Sequence, residues 1–114
     1  MSEPRLRTEF QARALLRQAA ASDGMGVVLR RGDPDAGSLF LVLRERTGAL
    51  QVLVPARDRD GAPGWRVAGG NDTADQDAVD AYLERQIRRD PDLWVVEIET
   101  GRPGLPPGVR LIED

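Results

Sequence analysis

Leu39, Phe40, Leu41, Val42 and Leu43 form a run of five apolar residues with no polar position on either alternating side. Successive side chains of a strand point to opposite faces of its sheet, so a strand made from this run has no face to offer water and belongs in the middle of the sheet. Three further short runs resemble it: "MGVVLR" from residue 25, "ALQVLVPA" from residue 49 and "GWRVAG" from residue 64. They are rich in Val, Leu and aromatic residues, and turn formers separate them at residues 32 to 37, at Thr47-Gly48 and at Asp60-Gly61. The four runs predict an antiparallel meander. "GWRVAG" alternates more cleanly than the others and is expected near an edge.

Two helices bracket this block. Thr8 and Gln11 have capping-box spacing, and Ala12, Leu15, Leu16 and Ala19 then recur on one side of a helix to about residue 21, where Ser22-Asp23-Gly24 stops it. Glu9, Arg13 and Arg17, spaced four apart on the opposite stripe, read as a solvated, salt-bridged face. Thr73 and Gln76 repeat the capping spacing, with Asp75 and Asp77 adding negative charge where the helix dipole favours it. Val79, Tyr82, Leu83, Gln86 and Ile87 form the core-facing stripe of this second helix, and Arg85, Arg88 and Arg89 crowd its last turn.

Asp90-Pro91-Asp92 ends the second helix, because the residue before a proline is pushed out of the α region and proline lacks the amide proton. A fifth strand follows in "LWVVEIET". Trp94, Val96 and Ile98 share one face and Glu97 and Glu99 the other, the alternation of a half-buried strand. Trp94 is expected beneath the Val79, Leu83 and Ile87 stripe. The order α-β-β-β-β-α-β predicts one α+β domain over residues 1–100, an antiparallel or mixed five-stranded sheet covered by two helices. The Pro/Gly-rich residues 101–114 read as an extended, poorly ordered tail whose "VRLI" end can dock as a short edge strand.

Composition removes many chemistries. The 114 residues fit one domain, and no apolar run approaches the length of roughly 18–20 residues that crosses a bilayer. The start, "MSEPRLRTEF", lacks the uncharged core of a secretory signal, which predicts a cytoplasmic protein. There is no cysteine, no histidine and no lysine; all sixteen basic residues are arginine. Disulfides, thiol nucleophiles, imidazole acid–base chemistry, the usual zinc sites and every lysine mechanism are therefore out of reach.

Three site patterns fail on their own chemistry. A restriction-endonuclease-like core needs acids on its central strands to hold magnesium and a lysine to orient water, but the central strands here offer only Glu45 at an end, and Gln51. Asp58-Arg59-Asp60-Gly61 resembles the start of a calcium loop, yet the twelfth position, which needs a bidentate glutamate, is Gly69; this is a hairpin turn. "GAPGW" lacks the lysine and the following helix of a phosphate loop. No catalytic residue, metal ligand or cofactor is assigned.

The remaining candidate is an echo. "RRGDPD" at residues 30 to 35 returns as "RRDPD" at residues 88 to 92. The first copy contains the adhesion tripeptide Arg31-Gly32-Asp33, but a corner explains more: Asp33 accepts amide hydrogen bonds at the first turn position, Pro34 presets the second, and Gly37 is expected to supply a positive φ. If the second helix ends beside the first loop, Arg30, Arg31, Arg85, Arg88 and Arg89, with Asp33 and Asp35 among them, form a candidate binding surface for phosphates or an acidic partner. The neighbouring acids and a net charge of −3 make internal Arg–Asp pairing the simpler expectation and disfavour nucleic acid.

With "RLRTE" at residues 5 to 9, "ALLR" at 14 to 17, "RRGDPDAG" at 30 to 37 and "YLERQIRRDPDLWVVEIE" at 82 to 99, the chain resembles a family of small alphaproteobacterial proteins catalogued as a domain of unknown function. The resemblance implies a bacterial, cytoplasmic protein and carries no catalytic residues. The functional expectation is a non-enzymatic macromolecule-binding or adaptor module with a protein partner. The alternative is a nucleic-acid-associated accessory protein, a degenerate nuclease-like fold without catalysis. On the first expectation, no tight complex forms with duplex or single-stranded DNA at ~150 mM salt. Micromolar or tighter binding in a fluorescence titration, lost on Arg88→Ala with Arg89→Ala, would establish the alternative.

Overall fold

The computed structural model describes residues 7–69 and 75–112. In chain order these form α1 (Thr8–Ala21), β1 (Met25–Arg30), β2 (Leu39–Arg44), β3 (Leu50–Arg57), β4 (Pro63–Val67), α2 (Gln76–Arg89) and β5 (Trp94–Glu99). The architecture is α+β, one mixed sheet of five strands with a helix on each face.

The strand order is β1-β5-β2-β3-β4. Only β2, β3 and β4 form the expected antiparallel meander. β1 does not pair with β2, because β5 lies between them, antiparallel to β1 and parallel to β2. Burial gives the physical reason. β5 hides Trp94, Val95 and Val96 in succession, so its first half is apolar on both faces, like β2, and enters the interior of the sheet, while Glu97 and Glu99 alternate with buried Ile98 as half-buried positions in its second half.

Pleating divides the core in two. Leu39, Leu41, Leu43, Trp94, Val96 and Ile98 pack against Ala12, Leu15 and Ala19 of α1. Val42, Val52, Leu93 and Val95 pack on the other face against Val79 and Leu83 of α2, with Tyr82 and Ile87 alongside. The helical stripes therefore lie where their periodicity puts them, but Trp94 sits beneath α1 and not beneath α2. Its neighbours Leu93 and Val95 take the place expected of it, since adjacent strand residues face opposite ways.

Both helix starts depart from the capping-box expectation. The residue preceding α1 is Arg7, which gives no side-chain cap, and the Thr8 hydroxyl donates instead to the Gly37 carbonyl. Thr73 lies outside the described residues; α2 is capped by Asp75, whose carboxylate accepts from the Ala78 amide at 2.8 Å. α1 ends as expected at residues 22 to 24, where Asp23 takes φ 63°.

Residues 101–112 pack against the body instead of extending from it. Pro106, Val109 and Ile112 are buried, and Val109 joins the α1 core. The "VRLI" end docks beside β4: the Trp65 amide donates to the Arg110 carbonyl and the Ile112 amide to the Trp65 carbonyl, each at 2.8 Å. Leu111 thereby forms a parallel bridge with Trp65.

Trp94 has a relative exposure of 1% and its ring fills the layer between β5 and α1. Trp94→Ala is expected to cost about 3–5 kcal/mol of stability, read by urea unfolding. A variant that unfolds at the wild-type midpoint would contradict this packing.

Candidate functional site

The two echoing segments meet. Because β5 lies between β1 and β2, the loop of residues 31 to 38 has to straddle the start of β5, which is where the second copy, residues 88 to 92, leads in. The Asp33 amide donates to the Asp92 carbonyl at 3.0 Å, and the Trp94 amide to the Ser38 carbonyl at 2.8 Å. The Trp94 indole Nε1–H donates to the Asp33 carbonyl at 2.7 Å, and Arg30 Nη2 to the Pro91 carbonyl at 2.9 Å. α1 joins the same corner through its Glu9 amide, which donates to the Pro34 carbonyl at 3.1 Å.

Gly37 is not in the positive-φ region. Its expected conformational role therefore fails, and close approach replaces it. A β-carbon at Gly37 or at Gly32 would overlap the Asp92 carbonyl oxygen. Asp33 does act as the turn-former expected of it: Oδ1 accepts from the Ala36 amide at 2.8 Å and the Asp35 amide at 2.9 Å. These amides, Ala36 foremost, hold its carboxyl below the usual aspartate value.

The arginines separate into engaged and free. Arg31 pairs with Glu9 at 2.7 Å and places its guanidinium 5.2 Å from the Trp94 ring centre. Arg30 reaches across to Pro91, Arg85 lies 6.0 Å over Tyr82, and Asp35 meets Arg7 at 3.3 Å. Arg88 and Arg89 are exposed and make no ion pair among the described residues. The corner thus gathers Arg30, Arg31, Asp33 and Asp35 around the segment of residues 91 and 92 and the start of α1, while Arg88 and Arg89 belong to the last turn of α2 and Arg85 sits one turn back.

At Asp58 the calcium-like tetrapeptide is a hairpin turn. Oδ1 accepts the Asp60 and Ala62 amides at 2.9 Å, and Oδ2 meets Arg110 at 3.2 Å. The Ala62 amide is the main reason that this carboxyl also lies below its ordinary value. The carboxyl ends of the parallel pair β2 and β5 open on a groove of about 380 Å³ lined by Leu43, Arg46, Thr100 and Leu105, among others. Two further arginines of its wall are engaged: Arg44 with Glu97 at 3.2 Å and Gln76 at 2.6 Å, and Arg102 with Asp23 at 3.1 Å.

The sheet's two edges differ. β4 is partly covered by residues 110 to 112. β1 pairs only with β5, and its outer side meets no strand among the described residues. Gly26 and Val28 face α1, whereas Met25, Val27 and Leu29 are 66%, 50% and 51% exposed. Met25 and Val27 stand opposite Glu99 and Glu97, on the sheet face that α2 covers farther along, and Leu29 is the extra residue of a bulge. Sequence reasoning missed this row. The signal was present in "MGVVLR", which is apolar at both alternating positions, but its strand was placed within a meander that would have covered it.

A family model described as a protein of unknown function, DUF1491, matches residues 6–104. The chain belongs to the DUF1491 family. A crystal structure and an NMR structure of a DUF1491 family protein from Caulobacter crescentus CB15 are each 32% identical to it, with TM-scores of 0.79 and 0.78. Both cover 95% of this chain, and the match spans 100% and 97% of theirs. A solution structure of a protein from A. tumefaciens is 31% identical, with a TM-score of 0.74 over 88% of this chain and 90% of its own. No curated protein matches. The DUF1491 match takes in β1 and the whole corner and stops short of residues 110 to 112, which cover β4.

Because Gly37 faces the Asp92 carbonyl with no room for a methyl group, Gly37→Ala is expected to lower stability by about 1–3 kcal/mol through a forced backbone shift. Chemical denaturation reads this directly. An unchanged midpoint would show that the loop does not hold the start of β5 this closely.

Proposed function

We propose that this chain is a non-enzymatic protein-binding module that takes its partner at the open β1 edge. The observation that supports this reading is the alternating row of Met25, Val27 and Leu29 on a strand whose outer side is unpaired among the described residues. Exposed edge strands template the addition of another strand, and natural sheets normally blunt them with charge, proline or a covering segment. β4 has such a cover, whereas β1 has neither cover nor proline and only a bulge at Leu29 near one end, so an apolar row at β1 marks a surface kept for contact. Backbone groups supply affinity in this mode of recognition, and the side chains on one face select the partner.

The arginine corner supports a nucleic-acid partner less well. Arg30, Arg31 and Arg85 are turned to internal acceptors or rings, leaving Arg88 and Arg89 as a short basic end flanked by Asp90 and Asp92. A continuous positive strip is the footprint such binding requires.

The test compares capture of a protein partner from an alphaproteobacterial lysate by wild type, by Met25→Glu with Leu29→Glu, and by Arg88→Ala with Arg89→Ala. Binding of the recovered partner should weaken at least about tenfold on the β1 changes, or ~1.4 kcal/mol, and stay unchanged on the arginine changes. The reverse pattern would move the site to the corner.

A further inference from the structure

We propose that the β4 edge is a second docking site, built for a strand that carries an arginine among apolar residues, and that residues 109–112 of this chain fill it in cis as a removable plug. This goes beyond the reading of β1 and does not rest on it. What the site recognises is visible in the segment that occupies it.

The docked segment alternates as a strand does. Val109 and Leu111 join the core beneath α1, to which Trp65 also belongs. Arg110 and Ile112, the alternate positions, meet β4 and the turn before it. A β-carbon at Gly64 would come within 2.8 Å of Ile112 Cδ1, so the notch that seats Ile112 exists because residue 64 has no side chain. Arg110 Nη2 lies 3.2 Å from Asp58 Oδ2 and donates to the Pro63 carbonyl at 2.7 Å and the Ala62 carbonyl at 3.3 Å.

The arginine site is organised by its own turn. Asp58 Oδ1 is held by the amides of Asp60 and Ala62, which aims Oδ2 at the guanidinium. A receptor group fixed before its ligand arrives loses little freedom on binding. Trp65 adds an amide and a carbonyl, the main-chain part of strand addition, while the notch and the carboxylate supply selectivity. These receiving residues, 58 to 65, lie within the DUF1491 match, and the segment that fills the site lies beyond its end at residue 104. Site and plug are therefore separable parts of the chain.

The plug is lightly fastened. It forms an isolated bridge instead of a ladder, and the Arg110 side chain is 52% exposed. Exposed residues 102 to 105 lead to it, with turning points at Gly104 and Gly108, where φ is 96° and 83°. A peripheral segment with so few backbone bonds opens without unfolding the core.

The test supplies the segment in trans. In the full chain, Arg110→Glu with Ile112→Asp should empty the edge, with the fold checked by circular dichroism and thermal unfolding. In fluorescence polarisation, a labelled synthetic peptide of residues 106–114 should bind this variant saturably. Wild type should bind it at least about tenfold more weakly, because the tethered segment competes at an effective concentration on the order of millimolar. The same peptide carrying Arg110→Glu should not bind. If the emptied chain fails to fold, hydrogen exchange of wild type replaces it: the Trp65 and Ile112 amides should exchange together, at least about 100-fold faster than those of Val42 and Val96. Exchange as slow as that of the central strands makes the segment a fixed part of the core and overturns the proposal. A folded, emptied chain that ignores the peptide, binds it regardless of the residue at position 110, or binds it no better than wild type does overturns it equally.

Discussion

The structure depends on one piece of threading: the start of β5 passes between the ends of β1 and β2, beneath the loop that joins them. The Asp33 amide takes the Asp92 carbonyl, the Trp94 amide takes the Ser38 carbonyl, and the Trp94 indole takes the Asp33 carbonyl. Each of these groups would otherwise lose water at the sheet's end without compensation, a cost of roughly 1–3 kcal/mol per orphaned group. Two glycines make the passage geometrically possible, since side chains at residues 32 and 37 would collide with the strand being straddled. The loop also receives the first turn of α1, so one corner orders the sheet and seats a helix on it.

Placing β5 inside the sheet decides what is buried. β2 and the first half of β5, which lie side by side, are apolar on both faces, and each face then needs its own helix. α1 covers β5 and β1 from one side; α2 covers β2, β3 and part of β5 from the other. The sheet is wider than the surface α2 can cover, and the remainder falls on the α2 side of β1. The exposed row at Met25, Val27 and Leu29 is thus a consequence of the strand order, and it coincides with the one edge left open among the described residues.

The arginines are spent mostly on architecture. Arg30 satisfies a carbonyl across the corner, Arg31 bridges α1 and covers an indole, and Arg44 joins β2 to β5 and α2. A planar guanidinium suits these tasks because it can donate in plane while stacking or lying against apolar surface. This use of positive charge leaves little continuous basic surface and turns attention from the charged corner to the apolar edge.

Much of the local structure was legible in the sequence. Helical periodicity located α1 and α2, the alternation around "LFLVL" located a central strand, and Asp-Pro-Asp and Asp58-Arg59-Asp60-Gly61 marked turns, because each of these signals is carried by neighbouring residues whose backbone preferences act on the spot. The echo of "RRGDPD" in "RRDPD" indicated two corners. That the two corners touch, that β5 enters between β1 and β2, that Trp94 lies under α1, and that Thr8 binds Gly37 instead of capping a helix were decided only in the tertiary structure. The physical reason is that strand pairing, face covering and edge exposure depend on which distant segments compete for the same hydrogen bonds and the same apolar area. A β1 strand apolar on both faces is compatible with a covered and an open position alike, and the arrival of β5 beside it settled the choice.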